Sequence, residues 1–116
     1  MIKFIAFLKR REGMSFDDFR EYYENTHSKI VGTISPPHVS GATSYKRTYL
    51  MPALHPIEQP TAGVDYDCIT ELCYADRDTF EKDMTFFGRE DVKAIIAKDE
   101  ENLFDRKYIR CYLEIE

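Results

Sequence analysis

Apolar and polar positions alternate in four stretches of the chain and repeat at helical spacing in three others. Ile2 to Lys9 reads as a strand, with Phe4, Ala6 and Leu8 on one face and Ile5 and Phe7 on the other. Apolar residues on both faces imply that both faces are covered. Arg10 to Met14 is a turn, and Ser15 then caps a helix with Asp17 and Asp18 in its first turn, where the helix dipole favours anions. From Phe16 to about Ile30 the apolar period is helical, and Phe16, Phe19, Tyr23, His27 and Ile30 share one face. Gly32 and the Ser35-Pro36-Pro37 run end it.

A second strand is predicted from about Ala42 to Met51, with Tyr45, Arg47 and Tyr49 on one side. The connection from Pro52 to Asp65 is long for a compact domain, and serves either as a pocket lid or as a surface excursion without a role. Tyr66 to Tyr74 forms the third strand, with Asp67 and Glu71 on the face opposite Cys68, Thr70 and Leu72. Asp76 caps a helix carrying Phe80, Met84 and Phe87, Gly88 punctuates it, and a further helix runs from Arg89 to about Asn102. Lys107 to Glu116 closes the chain as a strand, with Tyr108, Arg110 and Tyr112 on one face. The resulting β-α-β-β-α-β order, its second helix broken in two, predicts a single α+β domain over residues 1–116. Its plan is ferredoxin-like: a four-stranded antiparallel sheet with helices on one face. The other face would still carry large side chains, so a two-fold homodimer with the sheets facing each other and a cavity between them is expected.

Composition narrows the role. At 43% hydrophobic and 14% aromatic the 116-residue chain has enough bulk for one core or an apolar pocket. Its net charge of −5 and scattered basic residues argue against nucleic acid as a partner. The longest apolar stretch, Phe4 to Leu8, argues against a membrane span, and the first residues lack a signal-peptide pattern. Cys68, Cys73 and Cys111 are odd in number and strand-borne, which suggests buried, reduced thiols in a cytoplasmic protein.

Candidate chemistry centres on His27, which lies on the apolar face near the end of the first helix. It is either a proton carrier in a mostly dry cavity or a core histidine bonded to a backbone carbonyl. The Tyr45/Arg47/Tyr49 and Tyr108/Arg110/Tyr112 faces suit a flat, oxygenated ligand, and equally suit a dimer interface. Asp67 and Glu71 would stand about 13 Å apart along a strand, too far for a glycosidase pair, and are expected to form salt bridges with Arg47 or Arg110. His38 and His55 fall in loops, and their spacing from His27 supports no metal site; haem ligation by His27 has no supporting signal either.

The run from Ile2 through Lys9-Arg10-Arg11-Glu12-Gly13-Met14-Ser15 and Phe16 to Tyr22-Tyr23 and His27 resembles the EthD family. Tyr66 to Leu72 is similar to the family's third strand, and Asp99-Glu100 with Leu103-Phe104-Asp105 to the segment before its last strand. The resemblance covers most of the chain, with residues 31–65 matching loosely around Tyr45. It implies the dimeric α+β barrel fold. EthD-like proteins occur in ether degradation, and relatives in polyketide pathways act as decarboxylases, dehydratases or cyclases. The histidine carried over is His27. The expectation is therefore a cofactor-independent lyase, isomerase or cyclase acting on a hydrophobic, oxygenated substrate. His27 would be the acid/base, with Tyr23, Tyr45, Arg47, Tyr49, Asp67, Arg110 and Tyr112 around the substrate. The alternatives are a non-catalytic carrier of a small hydrophobic molecule and a cofactor-free monooxygenase.

Overall fold

A computed structural model describes residues 1–30, 40–58 and 63–115. The strands are β1 (Ile2–Leu8), β2 (Ser44–Tyr49), β3 (Cys68–Tyr74) and β4 (Arg110–Ile115). The helices are α1 (Phe16–Asn25), α2 (Arg77–Phe87) and α3 (Glu90–Glu100), with short 3-10 turns at His27–Lys29 and Arg106–Tyr108. The strands form one antiparallel sheet in the order β2-β3-β1-β4. This is the expected ferredoxin-like α+β plan, with its second helical segment split in two.

Local chemistry sets the helix boundaries. The Ser15 side chain accepts the Asp18 N–H at 3.1 Å and starts α1. Gly13, at φ +82°, makes the preceding turn with a backbone that a side chain would strain. Helix α1 stops at Asn25, short of the expected Ile30, because Thr26 leaves helical geometry at φ −123° and ψ −67°. Asp76 starts α2 by accepting the Thr79 N–H at 2.8 Å.

Register divides the sheet into two faces. Ala6 stands opposite Thr70 and Cys111, and Phe4 opposite Leu72 and Leu113, while Tyr45, Arg47 and Tyr49 face Leu72, Thr70 and Cys68. All of these belong to the helix-covered side. The reverse side carries Lys3, Ile5 and Phe7 beside Ile69, Glu71 and Cys73, with Arg110, Tyr112 and Glu114 on β4. The two tyrosine–arginine groups seen in the sequence therefore lie on opposite faces. Tyr108 is not in a strand at all. Arg10 pairs with Phe104 and the Asp105 N–H bonds the Lys9 carbonyl, so the chain spends Arg106–Tyr108 in a 3-10 turn before β4 can pair with Phe7.

Two apolar clusters hold the helices to the sheet. Ala6, Leu8, Phe19, Tyr23, Cys68, Leu103 and Phe104 form one beneath α1; Ile2, Tyr74 and Phe80 form the other beneath α2. Phe4 leans on both, and the space between them is hollow. Cys68 is buried, Cys73 half-buried, and Cys111, on the edge strand β4, exposed.

Asp83, 1% exposed, anchors the chain just before β2. It accepts hydrogen bonds from the Ser40 hydroxyl at 2.7 Å, the Gly41 N–H at 3.1 Å and the Tyr74 hydroxyl at 2.9 Å. Gly41 fits because any Cβ there would come within 2.1 Å of the Thr79 methyl. Tyr74→Phe keeps the ring but removes a donor to a buried carboxylate. Urea unfolding should show a loss of about 1–3 kcal/mol; unchanged stability would mean that the remaining donors satisfy Asp83 alone.

Candidate active site

Between the helix-covered face of the sheet and the three helices lies a cavity of about 650 Å³. Its floor includes Phe4, Ala6 and Leu72, its helix side includes Met84, Phe87 and Ile96, and most of the lining is apolar. Polar groups enter it from several elements: Tyr23, His27, Tyr45 and Thr70, the titratable side chains Lys93, Glu100 and Arg106, and the hydroxyls of Ser28, Ser40, Thr43 and Ser44. Such a lining suits a small molecule with an apolar body and few polar atoms.

His27 opens the 3-10 turn after α1, and its ring is wedged edge-on between Tyr23 and Phe104, at centroid distances of 5.6 and 5.4 Å. Its Nδ1 lies 2.7 Å from Oδ2 of Asp99, near the end of α3. The side chains of this pair are 10% and 12% exposed. The other Asp99 oxygen accepts the Tyr22 hydroxyl at 2.5 Å. That bond to a carboxylate raises the Tyr22 phenol above its ordinary pKa. Tyr22 and His27 thus grip both oxygens of one carboxylate. Among the described residues nothing hydrogen-bonds Nε2 of His27. The sequence offered a backbone carbonyl as the bland partner of this histidine; the partner is instead a side-chain carboxylate.

Beside His27 runs a short chain of hydroxyls. Tyr45 donates to the Tyr23 oxygen at 3.3 Å, and the Tyr23 and Thr70 hydroxyls lie 2.5 Å apart. Burial drives the Tyr23 phenol far above its usual range and raises Tyr45 as well, so both work as neutral hydroxyls rather than phenolates.

The other expected site residues stand elsewhere. Arg47 does not line the cavity. Its guanidinium grips Glu24 of α1 through Nε at 3.0 Å and Nη2 at 2.6 Å, and lies 4.5 Å from the centre of the Tyr45 ring. Tyr49 donates to the same Glu24 carboxylate at 2.9 Å. These two residues pin α1 to β2, which aims Tyr23 and His27. Asp67 precedes β3 and is held by the Arg10 N–H at 2.9 Å and by Lys9 at 3.4 Å; Glu71 pairs with Lys3 at 3.2 Å. Both carboxylates form ion pairs, but with β1 and its turn rather than with Arg47 or Arg110. Arg110 and Tyr112 are exposed on the reverse face, where the Tyr112 ring meets Phe7 edge-on at 5.7 Å. His55 accepts the N–H groups of Ile57 and Glu58 at 3.1 and 2.9 Å within its own loop. None of residues 51–58 lines the cavity, and His38 lies outside the described residues.

Comparison with known proteins agrees with this architecture. The EthD domain matches residues 11–107. The chain belongs to the EthD family. An EthD family protein from Bacillus halodurans C-125 superposes with a TM-score of 0.61 at 22% identity, over 100% of this chain and 98% of that one. A dimeric ferredoxin-like protein of unknown function from Thermobifida fusca YX gives 0.57 at 15%, over 99% and 90%. The hydroxynitrile lyase of Passiflora edulis gives 0.54 at 17%, over 99% and 92%. No protein of curated function matches the chain. No helix of the described residues is long and apolar enough to cross a membrane.

The Glu24–Arg47 pair makes stability depend on pH. The Arg47 hydrogen bonds hold the Glu24 carboxyl below its ordinary value of 4.5 in the folded state. The pair therefore stabilises the fold above the unfolded carboxyl's pKa, and this contribution is lost as pH falls through the lowered folded value. Wild type should exceed Arg47→Met in melting temperature at about pH 6, with the gap narrowing toward about pH 3. A gap of constant size across that range would mean that the ion pair contributes nothing.

Proposed function

We propose that this EthD protein is an enzyme that moves a proton on a hydrophobic, oxygenated small molecule held in the cavity, using its own side chains without a cofactor. The step is of lyase, isomerase or cyclase type. The observation that carries this reading is the His27–Asp99 pair in the wall of a largely apolar cavity. A carboxylate on Nδ1 fixes the tautomer and steadies the imidazolium, which leaves Nε2 as the basic nitrogen for a substrate C–H or O–H. Tyr45, Tyr23 and Thr70 would supply neutral hydroxyls to a carbonyl or developing enolate oxygen. That a hydroxynitrile lyase is built on a similar fold supports small-molecule chemistry here.

Homodimerisation is part of the proposal. The reverse face of the sheet bears Ile5, Phe7, Ile69 and Tyr112, and a partner sheet would cover them. The dimeric neighbour from Thermobifida fusca supports this arrangement. A cytoplasmic location is proposed on the odd cysteine count.

The test of the chemistry is carbon-acid exchange. Wild-type protein in D2O with phenyl-bearing alkyl ketones, such as 4-phenylbutan-2-one, should speed deuteration next to the carbonyl, followed by proton NMR. His27→Ala should lose the effect, and Asp99→Asn should slow it about 10–100-fold with the fold intact by circular dichroism. Tight ketone binding without exchange, unchanged in His27→Ala, would leave a ligand carrier as the correct reading. For the assembly, sedimentation should show a dimer for wild type and a folded monomer for Ile69→Lys. A monomeric wild type would remove the partner sheet from the account.

A further inference from the structure

Asp99 and Glu100 are consecutive carboxylates at the end of α3, and the helix turns them about 100° apart. Their surroundings differ accordingly. Both oxygens of Asp99 are hydrogen-bonded, to His27 and Tyr22. Glu100 lines the cavity; among the described residues its one ion-pair partner is Arg106, whose Nε stands 3.6 Å from Oε1, beyond good hydrogen-bond distance. The cavity that Glu100 lines is mostly apolar in area, which favours a neutral acid, while Arg106 opposes it. His27 after α1, Asp99 and Lys93 on α3, Arg106 in the following turn and Cys111 on β4 are the titratable or charged groups around it.

Resting on the reading of His27 as a base, we propose that Glu100 is a second proton carrier of the same cavity, donating to an oxygen of the substrate while His27 takes a proton from its carbon. Two carboxyls in contrasting environments beside one imidazole are the arrangement that separates an acid from a base. Burial favours the protonated form of Glu100 and raises its pKa, Asp99 adds to the rise, and the charges of His27 and Arg106 act against it. The substrate class is an enolisable carbonyl compound with a hydroxyl on the next carbon but one. His27 Nε2 takes the proton between the two groups, and the C–H electron pair becomes the new carbon–carbon double bond. The C–O bond breaks as the Glu100 proton joins the hydroxyl, and water leaves. Glu100 ends as a carboxylate and His27 as an imidazolium; transfer of that proton back through solvent restores both.

Two measurements test this. In protein labelled with carbon-13 at the glutamate carboxyls, the Glu100 signal is the one missing from Glu100→Gln. Its midpoint should lie above the ordinary glutamate value of 4.5 and rise further in His27→Ala, where a neighbouring cation is gone. An ordinary midpoint that ignores His27→Ala would overturn the proposal whatever the substrate. In D2O, 4-hydroxy-4-phenylbutan-2-one then reports the two roles separately, as deuteration beside the carbonyl and as formation of the conjugated enone. Glu100→Gln should cut enone formation about 100-fold while deuteration persists, and His27→Ala should abolish both. Enone formation at the wild-type rate in Glu100→Gln, or deuteration without enone in wild type, would overturn the role of Glu100 and leave His27 standing. Absence of deuteration in wild type would overturn the His27 reading and this inference with it.

Discussion

The hydrogen bond between His27 and Asp99 joins the turn after α1 to the end of α3, and the shape of the cavity depends on that join. Its partners come from segments 72 residues apart and are almost wholly screened from water. Removing either one strands a buried polar group, which costs more than the bond itself contributes. Tyr22 takes up the second Asp99 oxygen, so the carboxylate is fixed in rotation as well as position. A ring held between Tyr23 and Phe104 and tethered at Nδ1 has one orientation available. In that orientation it forms part of the cavity wall.

The rest of the fold supports this geometry by concentrating stability at the two ends of the sheet. One aromatic cluster grips α1 and the segment after α3; the other grips α2. The middle is left hollow, with a lining that is mostly apolar in area and carries polar groups from several elements. The two-point ion pair of Arg47 with Glu24 lies outside the cavity and docks α1 on β2. An arginine already neutralised by a carboxylate has little charge left for a substrate oxyanion. In the proposed reaction, stabilisation of negative charge would therefore fall to the hydroxyls of Tyr23 and Tyr45, which burial keeps protonated.

The elements and their order are legible in the sequence because hydrophobic period reports which face of a strand or helix is covered. The same period puts His27 and Tyr23 on the inward helix face and Tyr45 on one face of its strand. Partners are not legible in this way. Alternation places Arg47 on a face but cannot show that Glu24 reaches it first. Nor can it show that the tyrosine–arginine group of β4 looks the other way, because that depends on how β4 pairs with β1. Asp99 is visible only as part of a family-like Asp-Glu pair, since no local pattern joins it to a histidine in a distant helix. Tyr108 misleads because the backbone pairing of Arg10 with Phe104 forces a turn where the side-chain pattern continues to alternate.

The most direct measurement of the central claim is the tautomer of His27, read from the ring nitrogens by long-range nitrogen-15 correlation NMR at a pH where the imidazole is neutral. The account predicts the proton on Nδ1, bonded to Asp99, with Nε2 bare toward the cavity. A proton found on Nε2 would mean that the nitrogen facing the cavity is a donor, and His27 as the base of this site would be contradicted.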